Sequence, residues 1–151
     1  MELNSKLKPV LQNIHFCERY KLLSEENQFS NNDKGLDSEI VLNLIKDLGY
    51  QAKFNKNESF YKVTQKQNEY KFQFNISLRH GNVELIWDVL ETNVRLNIGG
   101  PWGVVYKSVS NKEERPLMPK FRNYADLEAI LKEAFSIYED FKKELLNSKI
   151  E

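Results

Sequence analysis

The sequence predicts an α+β domain, in which an antiparallel meander of five or six strands carries N-terminal helices and a long C-terminal helix chiefly on one face. Residues 69–78 alternate apolar and polar side chains with a period of two, as a half-buried strand does. Gly81-Asn82 separates this run from a second strand-like run at 83–90, which favours a tight hairpin. Residues 124–146 instead repeat apolar side chains at helical spacing.

The composition fits one folded domain. The chain has 151 residues, 40% hydrophobic, with Lys+Arg and Asp+Glu both at 22. A formal net charge of zero argues against a general nucleic-acid binder. The single cysteine permits no internal disulfide, which agrees with a reducing compartment. Without a signal-peptide pattern, or the roughly 20 apolar residues that cross a bilayer, we expect a cytoplasmic protein and no membrane association.

The N-terminal segment predicts one helix followed by a loop. Apolar residues recur at helical spacing, and Pro9 suits the first turn of a helix that starts after Lys8 and runs to about Leu23. Residues 24–35 are polar and rich in turn formers, so a loop is expected there.

A second helix is expected between Asp37, as N-cap, and Gly49, where it stops. Leu36 and Val41 occupy the positions of a hydrophobic staple. The predicted buried stripe consists of Ile40, Val41, Leu44, Ile45 and Leu48.

Further strands are predicted on both sides of the central hairpin. Residues 50–55 and 59–65 form two of them, and 94–98 follows the hairpin. After the segment Gly99-Gly-Pro-Trp-Gly103, residues 104–109 resume strand character. A connector containing Pro116 and Pro119 then leads to the last helix, from Asn123 as cap to about Leu146.

Residues with catalytic potential are few. His15 and Cys17 are two positions apart on a predicted helix and therefore lie on different faces. His80 falls in a predicted turn, and no Cys/His cluster has zinc spacing. We therefore predict no metal, no cofactor and no enzymatic activity.

Glu84 and Asp88 share one face of a predicted strand, about 13 Å apart. This separation exceeds that of the carboxylate pairs in glycosidases. The two residues either belong to the solvated face of a half-buried sheet or form an acidic patch that meets a basic partner.

The segment Gly99-Gly-Pro-Trp-Gly103 matches neither the dinucleotide fingerprint nor the P-loop. No helix is predicted after it, so no helix N-terminus is expected to bind an anion there. The glycines suit a sharp turn or bulge. Trp102 is either tucked under the sheet or exposed as an anchor for a partner.

Scattered cations offer one further alternative. Lys71, Arg79, Arg95 and Lys107 can share a sheet face with aromatic residues, as in an RNA-binding sheet. The RNA-binding aromatic pattern is absent from the sequence, and interleaved acidic residues dilute the charge. Nucleic-acid binding is therefore the less favoured interpretation.

The order of helix, antiparallel meander, Gly-Pro-Trp-Gly turn, proline-containing connector and long C-terminal helix resembles that of small bacterial immunity proteins, which accompany contact-dependent or other polymorphic toxins. The resemblance implies a cytosolic protein without catalysis that binds and blocks one cognate toxin domain, often a nuclease.

For such an interface we expect carboxylates that meet the basic cleft of a nuclease and aromatic residues that supply buried area. The proposed partner-binding residues are Glu84, Asp88, Trp102 and Tyr106. The alternative function is a small-molecule-binding domain, with a pocket between the sheet and the C-terminal helix lined by Trp87, Arg95 and Tyr106.

Overall fold

A computed structural model describes residues 3–30 and 36–148, and within them the chain forms five helices and one five-stranded sheet. The strands lie in sequence order, and every neighbouring pair is antiparallel. The predicted α+β meander is therefore confirmed. The elements are α1 Leu7–Asn13, α2 Phe16–Glu26, α3 Ser38–Asp47, β1 Ala52–Asn55, β2 Phe60–Gln67, β3 Tyr70–Arg79, β4 Asn82–Glu91, β5 Val94–Leu96, α4 Trp102–Ser110 and α5 Tyr124–Asn147.

The hairpin between β3 and β4 turns one residue earlier than the sequence suggested. Arg79 pairs with Asn82, so His80 and Gly81 are the two loop residues. Their φ angles of 55° and 76° are both positive. This geometry belongs to the type I′ turn, whose twist matches that of the flanking strands.

The core lies between one face of the sheet and the helices. The alternate residues of β3 from Tyr70 to Ile76 and of β4 from Val83 to Val89, among them Phe74 and Trp87, are at most 2% exposed on that face. The Trp87 ring lies 4.6 Å from the ring of Phe141 on α5, and the Phe74 ring lies 5.5 Å from that of Trp102 on α4. No described helix packs on the opposite face of the sheet, which we call the open face.

The N-terminal helix is in fact two helices. His15, between α1 and α2, has a left-handed φ of 58°, which ends the first helix and redirects the second. Pro9 lies in the first turn of α1, as expected. Because α2 continues to Glu26, it also takes up the start of the predicted loop, whose residues 31–35 lie outside the described part of the chain.

The predicted strand at 104–109 is wrong, because this segment belongs to helix α4. Gly99 and Gly100, with φ angles of 92° and 75°, turn the chain into the helix. The prediction that no helix follows these glycines is therefore wrong too. Packing overrides the strand preference of the valines, because one helical face is buried against the core. This face consists of Trp102, Val105, Tyr106 and Val109.

The predicted caps of the two other helices are confirmed. The Asp37 side chain accepts a hydrogen bond from the Glu39 amide at the start of α3. Asn123 Oδ1 accepts one from the Asp126 amide, 2.8 Å away, at the start of α5. Ile40 is an exception to the predicted buried stripe of α3, since it is 40% exposed.

We expect Asn123→Ala to lower the free energy of unfolding by about 1 kcal/mol, because the substitution removes an N-cap acceptor. Asn123→Ser, which keeps an acceptor, should stay close to wild type. Urea denaturation measures both variants. Equal midpoints for the alanine and serine variants would show that the cap does not stabilise α5.

Candidate functional site

Two of the four proposed partner-binding residues are in the core. Trp102 is 0% exposed and Tyr106 is 5% exposed, both on the inner side of α4. The Trp102 ring lies 5.2 Å from the Phe16 ring and 4.8 Å from the Trp87 ring. The tucked alternative for Trp102 is therefore the correct one, and neither aromatic residue presents its ring to a partner in this structure.

The other two, Glu84 and Asp88, lie on the open face as the strand alternation predicted. Glu84 is opposite Ser77, and Asp88 is opposite Gln73. Asp88 is not a free carboxylate, because its Oδ2 lies 2.9 Å from Arg95 Nη2. The four proposed residues therefore do not form one acidic and aromatic surface.

The open face instead carries an excess of positive charge. Strand pairing puts six cationic and two acidic side chains on it. The cationic residues are Lys53, Lys62, Lys66, Lys71, Arg79 and Arg95, and the acidic ones are Glu84 and Asp88. Lys107, which the sequence grouped with these cations, lies on α4 instead. The whole chain has a formal net charge of zero, but the open face is locally basic.

Four of these lysines form two directly opposed pairs. Lys53 is opposite Lys62 across β1 and β2, and Lys66 is opposite Lys71 across β2 and β3. Among the described residues, none of the four has an ion-pair partner. Like charges directly opposite each other destabilise a sheet. Folding alone therefore gives no reason for this arrangement.

Apolar groups accompany the charges on the open face. Ile86 and Leu90 on β4 and Phe60 on β2 are half-buried there. Leu90 pairs with Lys71 on one side and with Arg95 on the other. The open face therefore combines apolar surface with positively charged side chains around it.

The space proposed for a small-molecule pocket, between the sheet and α5, is filled by aromatic side chains. The Phe74 and Tyr138 rings stack 4.8 Å apart, and the Tyr138 hydroxyl donates to Gln65 Oε1. Trp87 lies on the core face, whereas Arg95 pairs with Leu90 on the open face. Trp87, Arg95 and Tyr106 therefore do not line one pocket.

A cleft exists elsewhere, between α2, the start of α4, the edge of β4 and the connector after α4. Its volume is about 320 Å³, and its lining includes Tyr20, Glu84, Trp102 and Arg115. We call it the α4 cleft. Sequence reasoning missed it because it depends on α4 being a helix.

In the described part of the chain, His15, Cys17 and His80 do not form a metal site. Within residues 3–30 and 36–148, no group of three or more His, Cys, Asp or Glu side chains could hold a metal ion. Burial raises the pKa of the Cys17 thiol to about 11, with a smaller contribution from Glu18. Cys17 is therefore a thiol at neutral pH, whereas the thiolate is the nucleophile.

Comparison of the chain with protein-family models, with curated proteins and with solved structures found no match. None of the helices in the described part of the chain has the length and apolar character needed to cross a bilayer.

Proposed function

We propose that this chain is an immunity-type protein that binds and blocks a cognate toxin domain, and that it does so by placing the open face on an acidic surface of that domain. The observation that carries the proposal is the pair of opposed lysine pairs, Lys53 with Lys62 and Lys66 with Lys71. The order of elements that resembles immunity proteins supports the biological role.

An acidic partner surface relieves the repulsion within each lysine pair. Concentrated positive charge also steers an acidic partner during diffusion and accelerates association, more strongly at low salt. The half-buried Ile86 and Leu90 beside the charges supply apolar area, which charge alone does not provide.

The partner chemistry differs from the one inferred from Glu84 and Asp88. A nuclease with a basic cleft would be repelled by the open face, whereas an acidic protein surface is complementary to it. Single-stranded nucleic acid is a weaker candidate, because its binding sites stack bases on aromatic rings. Within the five described strands, Phe60 is the one aromatic residue on the open face, and it is half-buried.

The test is the association rate with the C-terminal domain of the protein that the neighbouring gene encodes. We expect Lys62→Glu plus Lys71→Glu to slow association at low salt by about tenfold or more, since reversing charge in a steered encounter acts mainly on that rate. Raising the salt concentration should shrink the difference.

The matched control is Lys46→Glu plus Lys132→Glu, which makes the same change in net charge at exposed positions of α3 and α5. It should associate close to the wild-type rate. If both double variants slow association equally, the slowing results from the change in net charge and not from the open face. Tight binding of a single-stranded oligonucleotide, lost in the open-face variant and without any toxin binding, would contradict the immunity role.

A further inference from the structure

The α4 cleft contains an uncapped helix N-terminus. Pro101, the N-cap residue, provides no side-chain hydrogen bond. The first intrahelical bonds run from the Val104 and Val105 amides to the Pro101 carbonyl oxygen, at 2.9 and 3.0 Å. The preceding amides of Trp102 and Gly103 belong to the unpaired donors that every helix start leaves, at the positive end of the helix dipole.

A cation lies beside this positive end. The Arg115 side chain crosses the first turn of α4 so closely that a Cβ on Gly103 would meet its Cδ at 2.8 Å and its Nη1 at 3.5 Å. A cation near a helix N-terminus is unfavourable. Within the described residues Arg115 has no ion-pair partner to offset this cost.

The Tyr20 side chain provides an independent observation. Tyr20 is 2% exposed and lines the cleft, and its hydroxyl has no hydrogen-bond partner in the described part of the chain. Arg115 and Glu84, the two charged groups that act on the pKa of this hydroxyl, line the same cleft as Tyr20.

The protonation state of Tyr20 makes it a donor. Burial raises the pKa of its hydroxyl to about 12, while Arg115 lowers this pKa and Glu84 raises it. At neutral pH the hydroxyl therefore keeps its proton. Together with Arg115, it gives one part of the cleft two hydrogen-bond donors.

Glu84 gives the cleft a second, opposite charge. It is half-buried and forms no ion pair with Arg115 or with any other described residue. The remaining wall is mainly apolar and includes Leu85, Pro116 and Leu117. A volume of about 320 Å³ suits a small molecule.

From this geometry we infer that the α4 cleft binds a free α-amino acid with an apolar side chain. Arg115 and the Tyr20 hydroxyl hold the carboxylate, beside the positive end of α4. Glu84 holds the ammonium group, and Pro116 and Leu117 contact the side chain. This site is separate from the interface proposed on the open face, apart from Glu84 at its edge.

The inference is tested by following backbone amide resonances during titration with each standard α-amino acid up to about 10 mM. At least one apolar amino acid should shift the Gly103 and Trp102 amides, with a Kd of about 1 mM or tighter. The same compound without its ammonium group, or without its carboxylate, should bind at least about tenfold more weakly, which corresponds to about 1.4 kcal/mol.

Three variants locate the site. Arg115→Gln and Glu84→Gln should each weaken binding by about tenfold or more, because each removes a charged hydrogen-bonding group. Lys107→Gln, which removes an exposed charge from the same helix, should bind like wild type.

Three results would overturn the inference: no amino acid shifts these amides, Arg115→Gln binds as tightly as wild type, or inorganic phosphate binds as tightly as the amino acid. The last result would indicate a simple anion site. Lys62→Glu plus Lys71→Glu should leave amino-acid binding unchanged, so failure of this inference can be distinguished from failure of the proposed function.

Discussion

Replacing Trp102 with alanine should lower the free energy of unfolding by about 3–5 kcal/mol, the usual cost of truncating a fully buried aromatic side chain. Trp102 is 0% exposed, and its ring contacts four other aromatic rings. Alanine would leave a cavity where α2, α4 and the sheet meet. The measurement is the midpoint of chemical denaturation, with the slope checked for two-state behaviour.

Two variants refine this result. Trp102→Phe should recover most of the stability, because it retains an aromatic ring and removes the indole Nε1, which has no hydrogen-bond partner in the described structure. Val104→Ala is the control on the exposed side of α4, since Val104 is 38% exposed. A Trp102→Ala midpoint equal to that of Val104→Ala would contradict the assignment of Trp102 to the core.

Phe135→Ala is expected to be equally destabilising, by about 3–5 kcal/mol. Phe135 is 2% exposed, stacks on Tyr50 with ring centroids 4.2 Å apart, and meets the Phe74 ring edge-on at 5.2 Å. Truncation would therefore loosen the contact between α5 and the sheet. The same denaturation experiment applies, with Lys132→Ala as the exposed control on α5. A wild-type midpoint for Phe135→Ala would show that α5 does not pack through this residue.

Where local pattern and tertiary environment agree, the sequence predicts the structure well. The alternation at 69–78 and 83–90 identifies the core faces of β3 and β4, because a half-buried strand has a period of two. The cap at Asn123 and the apolar stripe after it identify α5. Both signals lie within a single element and need no information about pairing partners.

The wrong predictions lie where tertiary packing, and not the local sequence pattern, determines the secondary structure. In α4, the β-branched residues favour a strand, although Trp102, Val105, Tyr106 and Val109 have helical spacing that could have revealed the helix. The left-handed His15 between α1 and α2 has no comparable local signal, because glycine or asparagine is the usual residue at such a position.

The candidate sites are harder to predict from the sequence than the secondary structure is. The lysine pairs depend on strand register, since Lys53 and Lys62 are nine positions apart and meet only through the pairing of β1 with β2. The α4 cleft requires the connector to bring Arg115 back over Gly103. The burial of Lys142 on α5, which is only 2% exposed, likewise depends on β2, because its Nζ donates to Gln65 Oε1 at 2.6 Å.

The central claim is that the open face binds an acidic surface of a toxin domain, and opposite charge reversals test it most directly. The measurement is the rate of association with the toxin domain at low salt for two double variants. Lys62→Glu plus Lys71→Glu should associate more slowly than wild type, whereas Glu84→Lys plus Asp88→Lys should associate as fast or faster. The reverse order, with the carboxylate reversal slow and the lysine reversal fast, would contradict the claim and would restore Glu84 and Asp88 as the partner-facing charges.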